Sequence, residues 1–182
     1  MLSLGTAQFG LKYGICNTKG IVKETQIKKI LKYCALNSIF SIDTANGYGK
    51  SQKVLGKNSL KKFKITSKLS PIEKIKSKNF EKYVISQVDN MLEDLGVKKI
   101  DNMLIHDSSQ LNGKFGKNLY EILKKLKNKK FKKLGVSVYS KRELEKVINK
   151  YEIDVVSLPI SVANQSFIKN NYLLKIKRKN IE

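Results

Sequence analysis

Apolar residues recur along the chain in two alternating rhythms. Short apolar runs bounded by turn residues predict strands, and apolar positions spaced three and four apart predict helices. Leu2 to Ala7 is the first short run, and Lys23 to Ser38 follows with Ile27, Ile30, Leu31 and Cys34 at helical spacing. Ile39 to Ala45 reads as a strand, Ser51 to Lys62 as a short helix and Lys64 to Leu69 as a strand. Asn79 to Leu95 places Phe80, Val84, Val88, Met91, Leu92 and Leu95 on one helical face. Gly96 then stands where a helix C-terminus favours glycine. Ile100 to His106 is a strand, Leu119, Ile122, Leu123 and Leu126 line a helix, and Lys133 to Val138 is a strand. Ser140 suits the N-cap of a helix carrying Leu144, Val147, Ile148 and Tyr151. Val155 to Ile160 is a last strand and Ile168 to Lys179 a last helix.

This is a run of six β/α units, which argues for a parallel α/β fold. A doubly wound sheet and a TIM barrel compete. Asp43, Lys68, His106 and Ser137 each fall at or near the C-terminal end of a different strand. Polar groups from several successive strand ends form the top face of a barrel. A doubly wound sheet would instead carry Gly-x-Gly-x-x-Gly after its first strand, and Ala7 to Gly14 does not match it. The expectation is a TIM (β/α)8-type barrel, incomplete, with about six units in a single domain over residues 1–182.

Composition narrows the class. The 182 residues are 41% hydrophobic and 29% charged, a globular balance. The longest apolar run, Val155 to Ala163, falls well short of the ~18 residues that span a bilayer. The first residues lack a basic stretch followed by a long apolar one, so a cytoplasmic location is expected. Cys16 and Cys34 fit no metal or redox spacing. Asp107 beside His106 lacks a third ligand, so no metal is assigned. The net charge of +22 comes from lysines dispersed along the whole chain, with only Arg142 and Arg178 as arginines. Dispersed lysine, with abundant Asn and Ile, is the residue usage of AT-rich coding sequence. It predicts solvated basic faces and weak, salt-sensitive attraction to polyanions, without specific nucleic-acid or membrane binding. Lys124, Lys125, Lys129 and Lys130 form one such face. Gly49-Lys50-Ser51 suggests a phosphate-binding loop, but Thr44 stands where that loop needs glycine.

The residues at the strand ends form a coherent chemical set. Tyr48 lies in Asp43-Thr-Ala-Asn-Gly-Tyr48, Lys68 ends Lys64-Ile-Thr-Ser-Lys68, and His106 is the single histidine. A phenol is a weak acid at neutral pH. An adjacent ammonium favours its ionised form, and a carboxylate beside the ammonium fixes that cation in place. A histidine opposite can orient a substrate carbonyl. Such a group delivers a proton to a carbonyl oxygen as a hydride reaches its carbon.

These residues resemble the aldo-keto reductase superfamily, NADPH-dependent carbonyl reductases on a (β/α)8 barrel. The matching segments are Leu4-Gly-Thr-Ala-Gln-Phe-Gly10, Ile42-Asp-Thr-Ala-Asn-Gly-Tyr-Gly49 with Val54-Leu-Gly56, Lys64 to Lys68, Met103-Leu-Ile-His106, Leu134-Gly-Val-Ser137 and Val155-Val-Ser-Leu-Pro159. The resemblance implies a catalytic tetrad of Asp43, Tyr48, Lys68 and His106, with Tyr48 as proton donor. It implies cofactor contacts at Gly5, Thr6, Asp43 and Ser137, and NADPH as cofactor. The implied substrate is a small aldehyde or ketone, sugar-like carbonyls included.

Three positions depart from the family pattern. Val138 follows the Gly-Val-Ser serine where asparagine is frequent. Ser157 stands where the sixth strand commonly carries glutamine. The chain ends at Glu182, whereas a barrel of this type takes about 250 residues. The expectation is a truncated or split family member that self-associates through open sheet edges. Its rival is a non-catalytic barrel fragment that associates with a partner or anions.

Overall fold

The computed structural model describes residues 2–72 and 79–182. The strands are β1 (Leu4–Gly5), β2 (Ser41–Asp43), β3 (Lys64–Leu69), β4 (Ile100–Ile105), β5 (Phe131–Ser137) and β6 (Val155–Ser157). The helices are α1 (Ala7–Gly10), α2 (Glu24–Leu36), α3 (Ser51–Gly56), α4 (Phe80–Leu95), α5 (Gly116–Leu126), α6 (Lys141–Ile148) and α7 (Tyr172–Arg178). All six strands are parallel and lie side by side in chain order. A doubly wound sheet must reverse its strand order partway. No reversal occurs, so the sheet is a partial TIM barrel of six successive β/α units.

Strand side chains alternate between two faces. On the outer face, Ile42, Ile65, Leu69, Met103, Ile105, Leu134 and Val136 are buried. They join one core with Ile27, Leu31, Val84, Val88, Leu123, Leu144 and Val147 of the helices. The inner face is largely polar. Register places Asp43 beside Thr66, Thr66 beside Asn102 and Lys68 beside Leu104. Asn102 Nδ2 donates to Thr66 Oγ1 at 2.9 Å, and Ser41 Oγ donates to Ser3 Oγ at 2.9 Å. Gly135 is required on β5 because a Cβ there would lie 1.9 Å from the Val155 carbonyl oxygen.

Two carboxylates staple the N-terminal ends of the strands. Asp101 accepts from the Ile65 N–H at 2.9 Å and from Lys132 Nζ at 2.7 Å. Asp154 accepts from the Leu134 N–H at 2.8 Å and from Lys127 Nζ at 2.7 Å. The last residue continues the ladder beyond β6. The Glu182 N–H donates to Asp154 O at 3.0 Å, and its carbonyl accepts from the Val156 N–H at 2.7 Å. The Glu182 side chain pairs with Lys133.

Local signals set the helix ends. Gly96 caps α4 in the left-handed conformation, φ 64°. Ser140 Oγ accepts from the Glu143 N–H, capping α6. Several boundaries differ from the sequence pattern. The first apolar run is a two-residue strand followed by the helical turn α1. The second helix predicted from Ser51 ends at Gly56, where a Cβ would lie 2.1 Å from Asp94 O. β5 begins at Phe131, which is fully buried. β6 stops at Ser157, and Ile160 beyond it is 45% exposed. The last helix is divided by Asn171 at φ 53°, leaving a 3₁₀ turn at Lys169–Asn171 ahead of α7.

Candidate active site

The C-terminal ends of β2, β3 and β4 bring the tetrad residues together. Lys68 is on the inner face of β3 and is 4% exposed. A buried ammonium must find partners for its three hydrogens. Asp43, at the end of β2, takes two: it pairs with Lys68 through Oδ1 and accepts a second bond on Oδ2 at 2.6 Å. The third direction leads to the Tyr48 hydroxyl, 3.3 Å from Lys68 Nζ. The same ammonium lies 5.2 Å from the Tyr48 ring centroid. His106 follows β4 and meets Tyr48 edge-to-face, with ring centroids 5.9 Å apart and planes at 81°.

Burial pushes the His106 imidazole below its ordinary range, and the Lys68 ammonium adds to this. Asp43 and Asp107 oppose the shift without cancelling it. His106 is therefore neutral at neutral pH, able to donate one N–H and accept on the other nitrogen.

The loop that carries Tyr48 is held from both sides. Asn46 Oδ1 accepts from the Ser70 N–H at 2.7 Å, and the Asn46 N–H donates to Lys68 O at 3.2 Å. On the other side α1 touches the loop backbone to backbone. A Cβ on Gly10 would lie 1.9 Å from Tyr48 O, and one on Gly49, at φ 57°, would lie 2.5 Å from Gly10 O. Both positions need glycine for that contact.

The residues expected to meet a cofactor lie on two sides of this group. Gly5 ends β1 beside Asp43, with open space where a side chain would be. Thr6 is fully buried, and its hydroxyl and N–H both donate to Asp43 O, at 2.9 and 3.0 Å. Ser137 and Ser157 sit side by side in the β5–β6 register. Among the described residues neither hydroxyl has a hydrogen-bond partner. Val138 is buried, 1% exposed, so its side chain faces the core. A cleft of about 620 Å³ runs along this inner face, lined by Gly5, Asp43, Thr66, Leu104 and Ser157 among others. No group of three potential metal ligands occurs among the described residues.

Sequence reasoning missed the supports of Tyr48. Thr44 and Asn46 lie within the motif that identified Tyr48, and Ser51 just after it, but a hydrogen bond to a distant part of the chain leaves no periodicity. The Asn-Gly pair at positions 46 and 47 was the available signal for a side chain that bonds backbone at a turn.

Six parallel strands in chain order, with a carboxylate, a buried ammonium, a phenol and an imidazole gathered at their C-terminal ends, define a partial barrel with a polar top face. The Aldo/keto reductase family matches residues 1–182, and the chain belongs to that family. Among curated proteins, no match was found. Solved structures share the fold at low identity. A Pseudomonas aeruginosa protein provisionally assigned as an aldo-keto reductase superposes with TM-score 0.78 at 19% identity, over 98% of this chain and 70% of that one. The holo form of aldo-keto reductase AKR11C1 from Bacillus halodurans gives 0.76 at 14% identity, over 100% and 59%. An aldo/keto reductase from Klebsiella pneumoniae, in complex with NADP and acetate, gives 0.75 at 17%, over 98% and 60%. The chain thus spans 59–70% of the length of these proteins.

Proposed function

We propose that this chain carries the proton-transfer face of an NADPH-dependent oxidoreductase that reduces an aldehyde or ketone to an alcohol. One observation carries the reading: the buried Lys68 ammonium stands between the Asp43 carboxylate and the Tyr48 hydroxyl. A phenol placed beside a fixed cation can release its proton, because the cation stabilises the phenolate left behind.

The cofactor, when bound, supplies hydride to the carbonyl carbon. Tyr48 presents its hydroxyl proton to the carbonyl oxygen. Lys68 stabilises the resulting phenolate, and Asp43 keeps the ammonium oriented. His106, neutral at neutral pH, donates an N–H to the same oxygen and fixes the approach of the substrate.

The residues present suit the nicotinamide half of the cofactor. Gly5 leaves the end of β1 bare, which admits a flat ring. The adjacent Ser137 and Ser157 hydroxyls offer donors and acceptors to a carboxamide, Ser157 standing where the family commonly has glutamine. Asp43 borders the ring site, and Thr6 shapes its floor through Asp43 O rather than by bonding the ring. The Klebsiella pneumoniae relative with NADP supports the choice of cofactor class. A cytoplasmic setting, with its supply of NADPH, fits this reading. No helix among the described residues is long and apolar enough to cross a membrane.

Calorimetry with NADPH at two salt concentrations, with ATP as a control anion, tests the proposal. A protein of net charge +22 attracts any phosphate, and salt screens that attraction. Saturable NADPH binding that survives high salt and exceeds ATP is expected. Binding that fades with salt and equals ATP contradicts it. A second reading, a barrel fragment without turnover that self-associates, draws on the absence of pairing between β1 and β6 among the described residues. The same experiment separates the two.

A further inference from the structure

Three hydroxyls lie behind the tetrad, fully buried and outside the proton-transfer group: Thr6, Thr44 and Ser51. They come from three elements, the end of β1, the residue after β2 and the first position of α3. Buried hydroxyls are costly unless each finds a partner, so their bonds have one consistent assignment. Thr6 Oγ1 donates to Asp43 O at 2.9 Å. Ser51 Oγ donates to Thr6, at 2.9 Å from its carbonyl oxygen and 3.0 Å from its hydroxyl. Thr44 Oγ1, 3.3 Å from Ser51 Oγ, is left as the donor to it. Each hydroxyl donates once and the chain closes on backbone.

Ser51 is the joint of this network. Its hydroxyl reaches Thr6, the residue after β1, while its N–H donates to Tyr48 O at 3.1 Å. Tyr48 thus hangs from a residue anchored in another strand. The Asp43 carbonyl is gripped by the same chain, so both partners of Lys68 are referenced to one buried knot. We propose that Ser51 is a positioning residue, which sets the Tyr48 hydroxyl against Lys68 and His106 through the Thr44–Ser51–Thr6 hydroxyl chain. The proposal rests on Tyr48 being the proton donor for its effect on turnover, but its geometric content stands apart from turnover.

The single histidine supplies the test. His106 gives the single pair of imidazole C–H resonances, and the Tyr48 ring 5.9 Å away imposes a ring-current shift on them. Tyr48→Leu sets the value without the ring. Ser51→Ala is expected to move the His106 resonance part of the way toward that value. It is also expected to lower kcat by about ten- to a hundredfold. Gln52→Leu is the control. Gln52 is the next residue and is also buried, but it donates to Ser67 Oγ at 2.7 Å, away from the Tyr48 loop. It should leave the resonance in place.

A folded Ser51→Ala protein with the wild-type His106 resonance overturns the proposal. So does an equal shift in Gln52→Leu, which would make the effect general loosening. Where Ser51→Ala does not fold, Thr44→Val removes the donor to Ser51 at nearly constant volume and is read by the same criteria. A shifted resonance in a protein whose wild type shows no carbonyl turnover supports the positioning role and overturns the catalytic reading alone.

Discussion

Carboxylate–lysine pairs occur at both ends of the sheet, and they differ in what the remaining polar capacity does. At the N-terminal end, Asp101 and Asp154 each accept from one lysine and from one backbone N–H of the neighbouring strand. Their lysines are partly solvated, with side chains 64% and 32% exposed. Each of these carboxylates holds a fixed backbone N–H beside its lysine. At the C-terminal end the lysine is the buried partner, with its side chain 5% exposed, and the carboxylate is 36% exposed. The remaining hydrogen of Lys68 faces a phenol hydroxyl instead of the backbone. The same ion pair fastens strands at one end; at the other it faces the phenol that, under the proposed function, supplies the transferred proton. Burial of the cation, with a titratable group as third partner, makes the difference.

The largest effect expected from breaking this comparison is on turnover. Tyr48→Phe removes the hydroxyl and leaves the Asp43–Lys68 pair intact. Carbonyl-dependent oxidation of NADPH should fall by about 10²–10⁴-fold, with NADPH affinity nearly unchanged by calorimetry. At the other end, Asp154→Ala strips the partner from the Leu134 N–H. It should lower stability by about 2 kcal/mol, the cost of an unsatisfied buried donor. The melting temperature should fall by about 5 °C, with turnover per folded molecule unchanged.

The smallest effect is a pH dependence. His106 is held below its unfolded value near 6.5 by burial and Lys68. Below that value the unfolded chain binds a proton that the folded chain refuses, so stability declines as pH falls through it toward the folded value. The contribution is fully present above the unfolded pKa. Because the chain has one histidine, His106→Gln should flatten denaturation midpoints across this window. An unchanged slope in that variant would assign the dependence elsewhere.

The sequence exposed these regions unequally. Asp43, Lys68 and His106 were legible because each falls at the end of a predicted strand, and Tyr48 because it follows Asp43 in one short motif; convergence follows once the strands are parallel neighbours. The order of units was legible for the same reason. Short elements were not: α1 has four residues, too few to show a helical period, and reads as the turn after the first strand. The start of β5 was hidden by the lysine at 132, while the burial of Phe131 depends on helices far away in the chain. Ser51 was noticed as the start of a short helix and as the last letter of an incomplete phosphate-loop motif, not as a support of Tyr48. Its bonds to Thr6 span 45 positions, and no local pattern encodes such a contact. Asp101 and Asp154 went unread because a carboxylate near a strand start looks like any surface acid.

The decisive measurement compares Tyr48→Phe and Asp154→Ala in one assay of carbonyl-dependent NADPH oxidation, each rate normalised to folded protein. The first is expected to lose nearly all turnover and the second to match wild type. Equal rates in the two, or loss confined to Asp154→Ala, would contradict the division of labour between the two ends of the sheet.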